Sequence, residues 1–269
     1  MYKTMRLPKK LLLCTVLFLI LSILFLIVAD AMQTEKTYAH LFPELYASAQ
    51  DKKDAVQKTA YITFDDGPSK VTPAILDALK EANVKATFFV IGRTSEQDVA
   101  TLRRIHEEGH SIGIHSYSHK YKEIYRRVEA YLEDFSEIEA WIYALTGEHP
   151  QIFRFPGGSN NSSAKKSLMV DIATEMTRRG YIYHDWNVIA HDDQKTIYSA
   201  DQLYQNVVKS AKNKLDRDLT LLFHDNSTRK TTAEALPKVI EYFRSQGYVF
   251  EKIPPEPKPI QFNKPKAEE

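Results

Sequence analysis

Cysteine is almost missing from this chain. Cys14 is the only one, and it lies in an apolar run near the N-terminus. The remainder can build neither a disulfide framework nor a thiolate metal cage. Excess charge of either sign is missing too: 36 Lys and Arg face 35 Asp and Glu, a net charge of +1. No overall pull toward nucleic acid or anionic lipid follows, so nucleic acid is not an expected partner. Internal repeats are absent as well. What is present is enough apolar residue, 43% of 269 positions, for one substantial core, alone or with appendages.

The ends differ from the middle. Lys3, Arg6, Lys9 and Lys10 precede Leu11–Ala29, nineteen residues without a charge. At about 1.5 Å per residue such a helix comes close to the thickness of a bilayer's hydrocarbon core. The basic flank stays inside, which sends the bulk of the chain across the cytoplasmic membrane. Ala29-Asp30-Ala31 also resembles a small-residue cleavage site, so residues 1–31 are either a single membrane helix or a removable signal. Residues 32–57 read as a stalk. At the other end Pro254-Pro255-Glu256-Pro257-Lys258-Pro259 opens a proline-rich, charged tail, 254–269, expected to be disordered. The domain proper is 58–253, expected as a monomer.

Within it, seven short strand patterns, at Ala60–Phe64, Ala86–Ile91, Ser111–Ile114, Ile152–Phe155, Tyr181–Asn187, Leu219–His224 and Tyr248–Lys252, alternate with six helix-period segments. The helical segments are Pro73–Ala82, Gln97–Gly109, Tyr121–Thr146, Ala164–Arg179, Ala200–Lys212 and Ala233–Gln246, with Thr72 as N-cap of the first. This alternation implies an α/β fold with a parallel sheet and right-handed crossovers, as a barrel or an open doubly wound sheet. Polar residues favour a distorted barrel of about seven parallel strands. Asp65-Asp66, His115, Arg154, Asp192 and His224 fall at or just after strand C-termini, which in a barrel converge on one mouth.

Taken singly, these polar groups have ordinary explanations. Asp65-Asp66-Gly67-Pro68 is a turn sequence, and His115 and His119, four apart, can cap or line a helix. Taken together, one carboxylate and two imidazoles form a ligand set for a divalent cation with positions left open for water. The second carboxylate is then free to act as a base on that water. Those residues point to a metal-dependent hydrolase.

The combination resembles the polysaccharide deacetylases of carbohydrate esterase family 4, the NodB-homology domain. Thr63–Gly67 matches the family's Thr-Phe-Asp-Asp-Gly, and His115–His119 its His-Ser/Thr-x-x-His. Arg154-Phe155-Pro156 matches Arg-x-Pro, and Leu222-Phe223-His224 matches Leu-x-His. The likeness spans about Lys58 to Lys252. A fourth motif departs: the usual Asp-Trp pair is either Asp185-Trp186, or Asp192 followed by Asp193 in place of the tryptophan. Asp192 is the expected choice, because Asp185 falls inside the predicted strand Tyr181–Asn187.

The resemblance implies that Asp66, His115 and His119 hold the cation, zinc before cobalt, nickel or manganese. Asp65 would be the general base, paired with Arg154, which Asp192 would orient. The Gly157 N–H after Pro156 would face the oxyanion, His224 would protonate the leaving amine, and Leu222 and Trp186 would enclose the acetyl methyl. The implied substrate is an N-acetylated polysaccharide outside the membrane, peptidoglycan N-acetylglucosamine first. An O-acetyl esterase of the acetylxylan type and a catalytically silent wall-binding protein are the alternatives. Among other histidines, His106 and His110 read as solvated and His149 as a loop residue. His184 can either pack or line the groove, and His191 is placed near the mouth. Tyr117, Tyr121 and Tyr125 have helical spacing and read as core.

Overall fold

Strand β1, Lys58–Asp65, organises the sheet of the protein, seen in a computed structural model that describes residues 57–194, 196–254 and 258–266. One edge of β1 pairs with β7, Leu219–His224, in a parallel register from Ala60↔Leu219 to Asp65↔His224. Its other edge is shared. β8, Tyr248–Glu251, takes the first half, and β2, Thr87–Ile91, takes the last three residues. Beyond β2 lie β3, Ser111–Ser116, β4, Ile152–Phe153, and β5, Ile182–Tyr183. Beyond β7 lies β6, Val188–Ile189. Every pairing is parallel, and the order is β5-β4-β3-β2-β1-β7-β6 with β8 beside β1.

Among the described residues no ladder joins β5 to β6. The seven strands in the row therefore form a half-barrel rather than a closed ring. The expected strand at Tyr181–Asn187 is shorter than its pattern: β5 stops at Tyr183, and the chain re-enters the sheet only at Val188, on the far side of the mouth. Asp185 thus lies in the crossing segment and not in mid-strand. Such crossing requires the backbone N–H of Asn187 to find Thr220, which it does at 3.1 Å.

The strands are continuous apolar runs because helices cover the outside and side chains fill the inside. β2 is buried at all five positions. Phe64 stacks on Phe88 with centroids 5.0 Å apart and leans on Phe223 at 5.8 Å, joining three neighbouring strands. Rings of this size each contribute about 1.5–3 kcal/mol on burial.

The helices are α1, Thr72–Glu81; α2, Glu96–Glu107; α3, Tyr121–Ile124; α4, Val128–Thr146; α5, Lys166–Arg178; α6, Ala200–Ala211; and α7, Lys230–Ser245. Ser95 caps α2 by accepting the Asp98 N–H, and Ser199 and Gln202 form a capping box on α6. Gly147, at φ 74°, ends α4 in the left-handed conformation that a Cβ disfavours. Two expectations change. Tyr121–Thr146 is two helices, split where Arg127 is extended and Tyr125 turns its hydroxyl to the Pro156 carbonyl at 2.8 Å. Thr72 is not an N-cap; it lies inside α1, and its hydroxyl accepts the Ser69 N–H and donates to Asp225.

The unit that begins at Gln57 takes in residues 258–266 of the expected tail. Residues 258–266 are tied to the domain by hydrogen bonds at Asp185, Ser159 and Thr174, contrary to the disorder expected from their prolines. His110 is also corrected. It is buried, its Nδ1 accepting the Ala86 N–H at 3.1 Å and its ring edge-on to Phe88. No helix among the described residues is long and apolar enough to cross a membrane. Leu11–Ala29 and the stalk up to residue 56 lie outside the described residues.

Candidate active site

β1 ends at Asp65, and the next residue, Asp66, takes a left-handed backbone at φ 75°. Asp66 Oδ1 lies 3.2 Å from His119 Nε2 and 3.6 Å from His115 Nε2. One donor atom from each of the three residues falls within 4.8 Å of the others. His115 Nδ1 is 2.7 Å from the Arg154 carbonyl, which requires the proton on Nδ1 and leaves the Nε2 lone pair facing Asp66. Burial, helped by neighbouring His119, brings the His115 imidazole down to about 3, so the ring is neutral, the form a cation takes. This donor set, one carboxylate and two oriented imidazoles, fits a divalent cation.

His119 depends on a residue that the sequence did not single out. Asp134, on α4, accepts the Ser116 hydroxyl at 2.6 Å and the N–H groups of Tyr117 and Ser118, each at 2.8 Å. Ser116 Oγ in turn accepts the His119 N–H at 2.9 Å. Only the packing of α4 against the end of β3 reveals this role, since Asp134 stands amid other acids in an amphipathic helix.

Arg154, directly after β4, is wholly buried. It donates to the His184 carbonyl at 2.7 Å, to Thr63 Oγ1 at 2.7 Å, to Asp65 Oδ1 at 2.9 Å and to the Asp185 carbonyl at 3.2 Å. Its guanidinium also lies over the Phe89 ring, 4.3 Å from the centroid. Burial pushes the Asp65 carboxyl above its usual range, and Arg154, His224 and His119 pull it back only in part. A raised carboxylate makes the stronger base.

Asp192 does not orient Arg154. Its Oδ1 is 2.8 Å from His224 Nδ1, and its Oδ2 accepts the His224 N–H at 2.9 Å and the Thr232 hydroxyl at 3.0 Å. The reason is topological: residue 192 follows β6, which pairs with β7, the strand that ends at His224. Nor does the Asp185 carboxylate touch Arg154; it accepts from Ser159 N and Oγ. Burial, the largest single influence on His224, pulls its imidazole down. The Asp192 hydrogen bond and the charges of Asp192, Asp65 and Asp66 outweigh it, pushing the ring up to about 9.

Asp65, Asp66, His115, His119 and His224 face one cavity of about 270 Å³, which the buried Arg154 and Asp192 do not line. Gly157, Trp186 and Leu222 line it as expected, and Tyr121, Ile189, Asp193 and Asn226 join them. Tyr121 therefore packs against the core as expected and is also a wall of the site; burial and then Asp66, Asp65 and Asp193 hold its phenol at about 12, as a donor. Tyr125 does pack in the core. Pro156 turns its carbonyl to Tyr125 rather than to the cavity. Gly157, at φ 78°, makes no hydrogen bond through its N–H among the described residues, and a Cβ there would meet the Tyr121 ring at 3.1 Å. His184 is buried beneath the site, and His191 is exposed and does not line the cavity.

The turn Gly67-Pro68-Ser69 is anchored by Asp225. Its carboxylate accepts from Ser69 Oγ at 2.7 Å and from Thr72, and its N–H reaches the Asp65 carbonyl at 2.7 Å. A Cβ on Gly67 would stand 2.3 Å from Asp225 Oδ2, so glycine is required there by close approach.

The family described as polysaccharide deacetylase matches residues 52–173, which hold Asp65, Asp66, both histidines and Arg154. A peptidoglycan-N-acetylglucosamine deacetylase of Bacillus cereus is 30% identical over 199 residues, 72% of this chain and 69% of its own length. The chain belongs to the polysaccharide deacetylase family. The catalytic domain of a peptidoglycan N-acetylglucosamine deacetylase from Eubacterium rectale superposes with a TM-score of 0.71 at 33% identity, over 79% of this chain and 96% of that one. A family 4 acetyl xylan esterase from Clostridium thermocellum, in complex with a cobalt ion, gives 0.60 at 27%, over 72% and 88%.

Proposed function

We propose that the protein removes N-acetyl groups from amino sugars of an extracytoplasmic polysaccharide, peptidoglycan N-acetylglucosamine first and chitin-like polymers next, releasing acetate. One observation carries this reading: Asp66, His115 and His119 share a cavity with an Arg154-held carboxylate on one side and an Asp192-held imidazole on the other. The relatives whose names specify peptidoglycan support the substrate. Leu11–Ala29 supports the compartment, as anchor or as signal.

Asp66, His115 and His119 would hold a divalent cation, zinc first, which would supply Lewis acidity toward a water and the acetamide carbonyl. The protein's own residues do the rest. Asp65 takes the proton of the attacking water, and Arg154 fixes its orientation. The Gly157 N–H and the Tyr121 hydroxyl offer donors where negative charge develops on the carbonyl oxygen. His224, protonated at neutral pH, hands its proton to the departing amine, and Asp192 holds the ring for that transfer. Leu222, Ile189 and Trp186 enclose the acetyl methyl.

The deciding measurement is acetate release by the full chain from peptidoglycan, chitin oligomers and acetylxylan, with and without a chelator. Chelator-sensitive release from the first two is expected. Release from acetylxylan alone would favour the esterase reading, which the likeness to an acetyl xylan esterase keeps in play. His224→Ala then separates the two chemistries. An alcohol leaves with less help than an amine, so amide cleavage should fall by about 10²–10³ and ester cleavage by much less.

A further inference from the structure

Residues 258–266 do not trail away from the domain. The Ile260 carbonyl accepts the Asp185 N–H at 2.7 Å, and Asp185 Oδ2 accepts the Phe262 N–H at 2.7 Å. The same buried carboxylate holds Ser159, through its N–H at 2.8 Å and its hydroxyl at 2.6 Å. Asn263 completes the arrangement: its N–H donates to Ser159 Oγ at 2.9 Å and its side-chain amide to the Ser159 carbonyl at 2.6 Å. Farther along, Lys266 donates its N–H to Thr174 Oγ1 and pairs its ammonium with Asp171, both on α5.

The two residues gripped in this way flank the cavity wall. Asp185 directly precedes Trp186, and Ser159 follows Gly157 by two positions. Trp186 itself is closely packed by two residues. A Cβ on Gly158 would come within 2.9 Å of its ring, and Phe262 stands edge-on to it with centroids 5.2 Å apart. Phe262 nonetheless leaves 41% of its surface exposed beside a residue that lines the cavity. Phe262 therefore continues the aromatic surface of Trp186 from the cavity wall to solvent.

We infer that residues 258–266 are a working part of the site, in which Phe262 is a positioning residue for Trp186 as a sugar-binding wall and Asn263 a positioning residue for the Gly157 turn. This rests on the proposed deacetylase reading. The two contacts act on different stages. Trp186 meets the glycan on binding, so Phe262 bears on KM. Gly157 meets charge that develops later, so Asn263 bears on kcat.

The test uses the full chain and a chitin oligomer. Phe262→Ala should raise KM about fivefold, the scale of one aromatic contact, with kcat held, and Phe262→Tyr should restore it. Asn263→Ala should lower kcat with KM held. A chain ending at Pro254 should lose about a hundredfold in kcat/KM, as displaced positioning groups do. If that chain fails to fold, the two point variants still decide. Trp141→Phe leaves Trp186 as the single tryptophan, so its fluorescence reports oligomer binding directly, weaker in Phe262→Ala. Active wild type with unchanged kcat, KM and binding in both variants would overturn the inference. Wild type that neither releases acetate nor binds oligomer would overturn the deacetylase reading, and the inference with it.

Discussion

The two sides of the mouth are built differently. On one side, Asp65, Asp66, His115 and His119 come from the ends of β1 and β3, two well-formed strands, and each pair sits close together in sequence. On the other, His224 ends β7, but its partner Asp192 follows β6, a strand of two residues, and the Trp186 wall occupies the crossing between β5 and β6. The first side is built on two tight turns in which Asp66 and His119 adopt positive φ, each locked by a carboxylate from elsewhere in the chain, Asp225 on Ser69 and Asp134 on Ser116. The second is held by contacts between segments some thirty to a hundred residues apart, with the chain's own C-terminal segment among them. The proposed ligand set thus stands at the ends of the two well-formed strands. The side proposed to meet the polymer is assembled from the short β5 and β6, the end of β7 and the C-terminal segment.

Perturbing the first side should have the largest effect. Asp65→Asn keeps the shape and the Arg154 contact but cannot take a proton, so kcat should fall by about 10³–10⁴. Binding of zinc by calorimetry should persist, because Asp66, His115 and His119 remain. Loss of both would place Asp65 among the ligands and erase the division of labour between adjacent aspartates.

Asp134→Asn should cost about 10–100-fold in zinc affinity without touching the ion, since outer residues orient the inner ones. Unchanged affinity would mean that the Ser116–His119 turn is rigid by itself.

On the second side, Asp192→Asn tests the His224 pair through pH. With its pKa raised to about 9, His224 is a protonated acid at neutral pH, and activity is lost as pH rises through that value. Without the Asp192 charge the basic limb should move down toward the ordinary value, by roughly two pH units, cutting the rate at pH 7.5 by about fourfold. A basic limb that stays in place would assign it to another group.

The smallest effect belongs to the turn beneath the ligands. Gly67→Ala places a Cβ against the Asp225 carboxylate and should cost about 1–3 kcal/mol of stability, read as a lower Tm. An unchanged Tm would show that the Asp225 side chain can yield.

The Asp65-Asp66 and His115/His119 pairs, the parallel α/β pattern and the placement of polar groups at strand ends were legible in the sequence, because each is a short-range matter: apolar periodicity, turn residues and spacing within a few positions. The partner of Asp192 was not, because a carboxylate in a loop does not reveal which strand it will lie beside. That was decided by the pairing of β6 with β7, which brings residue 192 to His224 and leaves Arg154 to backbone carbonyls and Thr63. Tyr121, Asp134 and the tail were hidden for the same reason. Prolines 254–259 predict an extended chain and say nothing of what it lies against. The sequence by itself determined which chemical groups stand at the ends of the strands. The tertiary structure decided which of them touch, since hydrogen bonds and ring contacts reach only a few ångströms and are set by strand order and register.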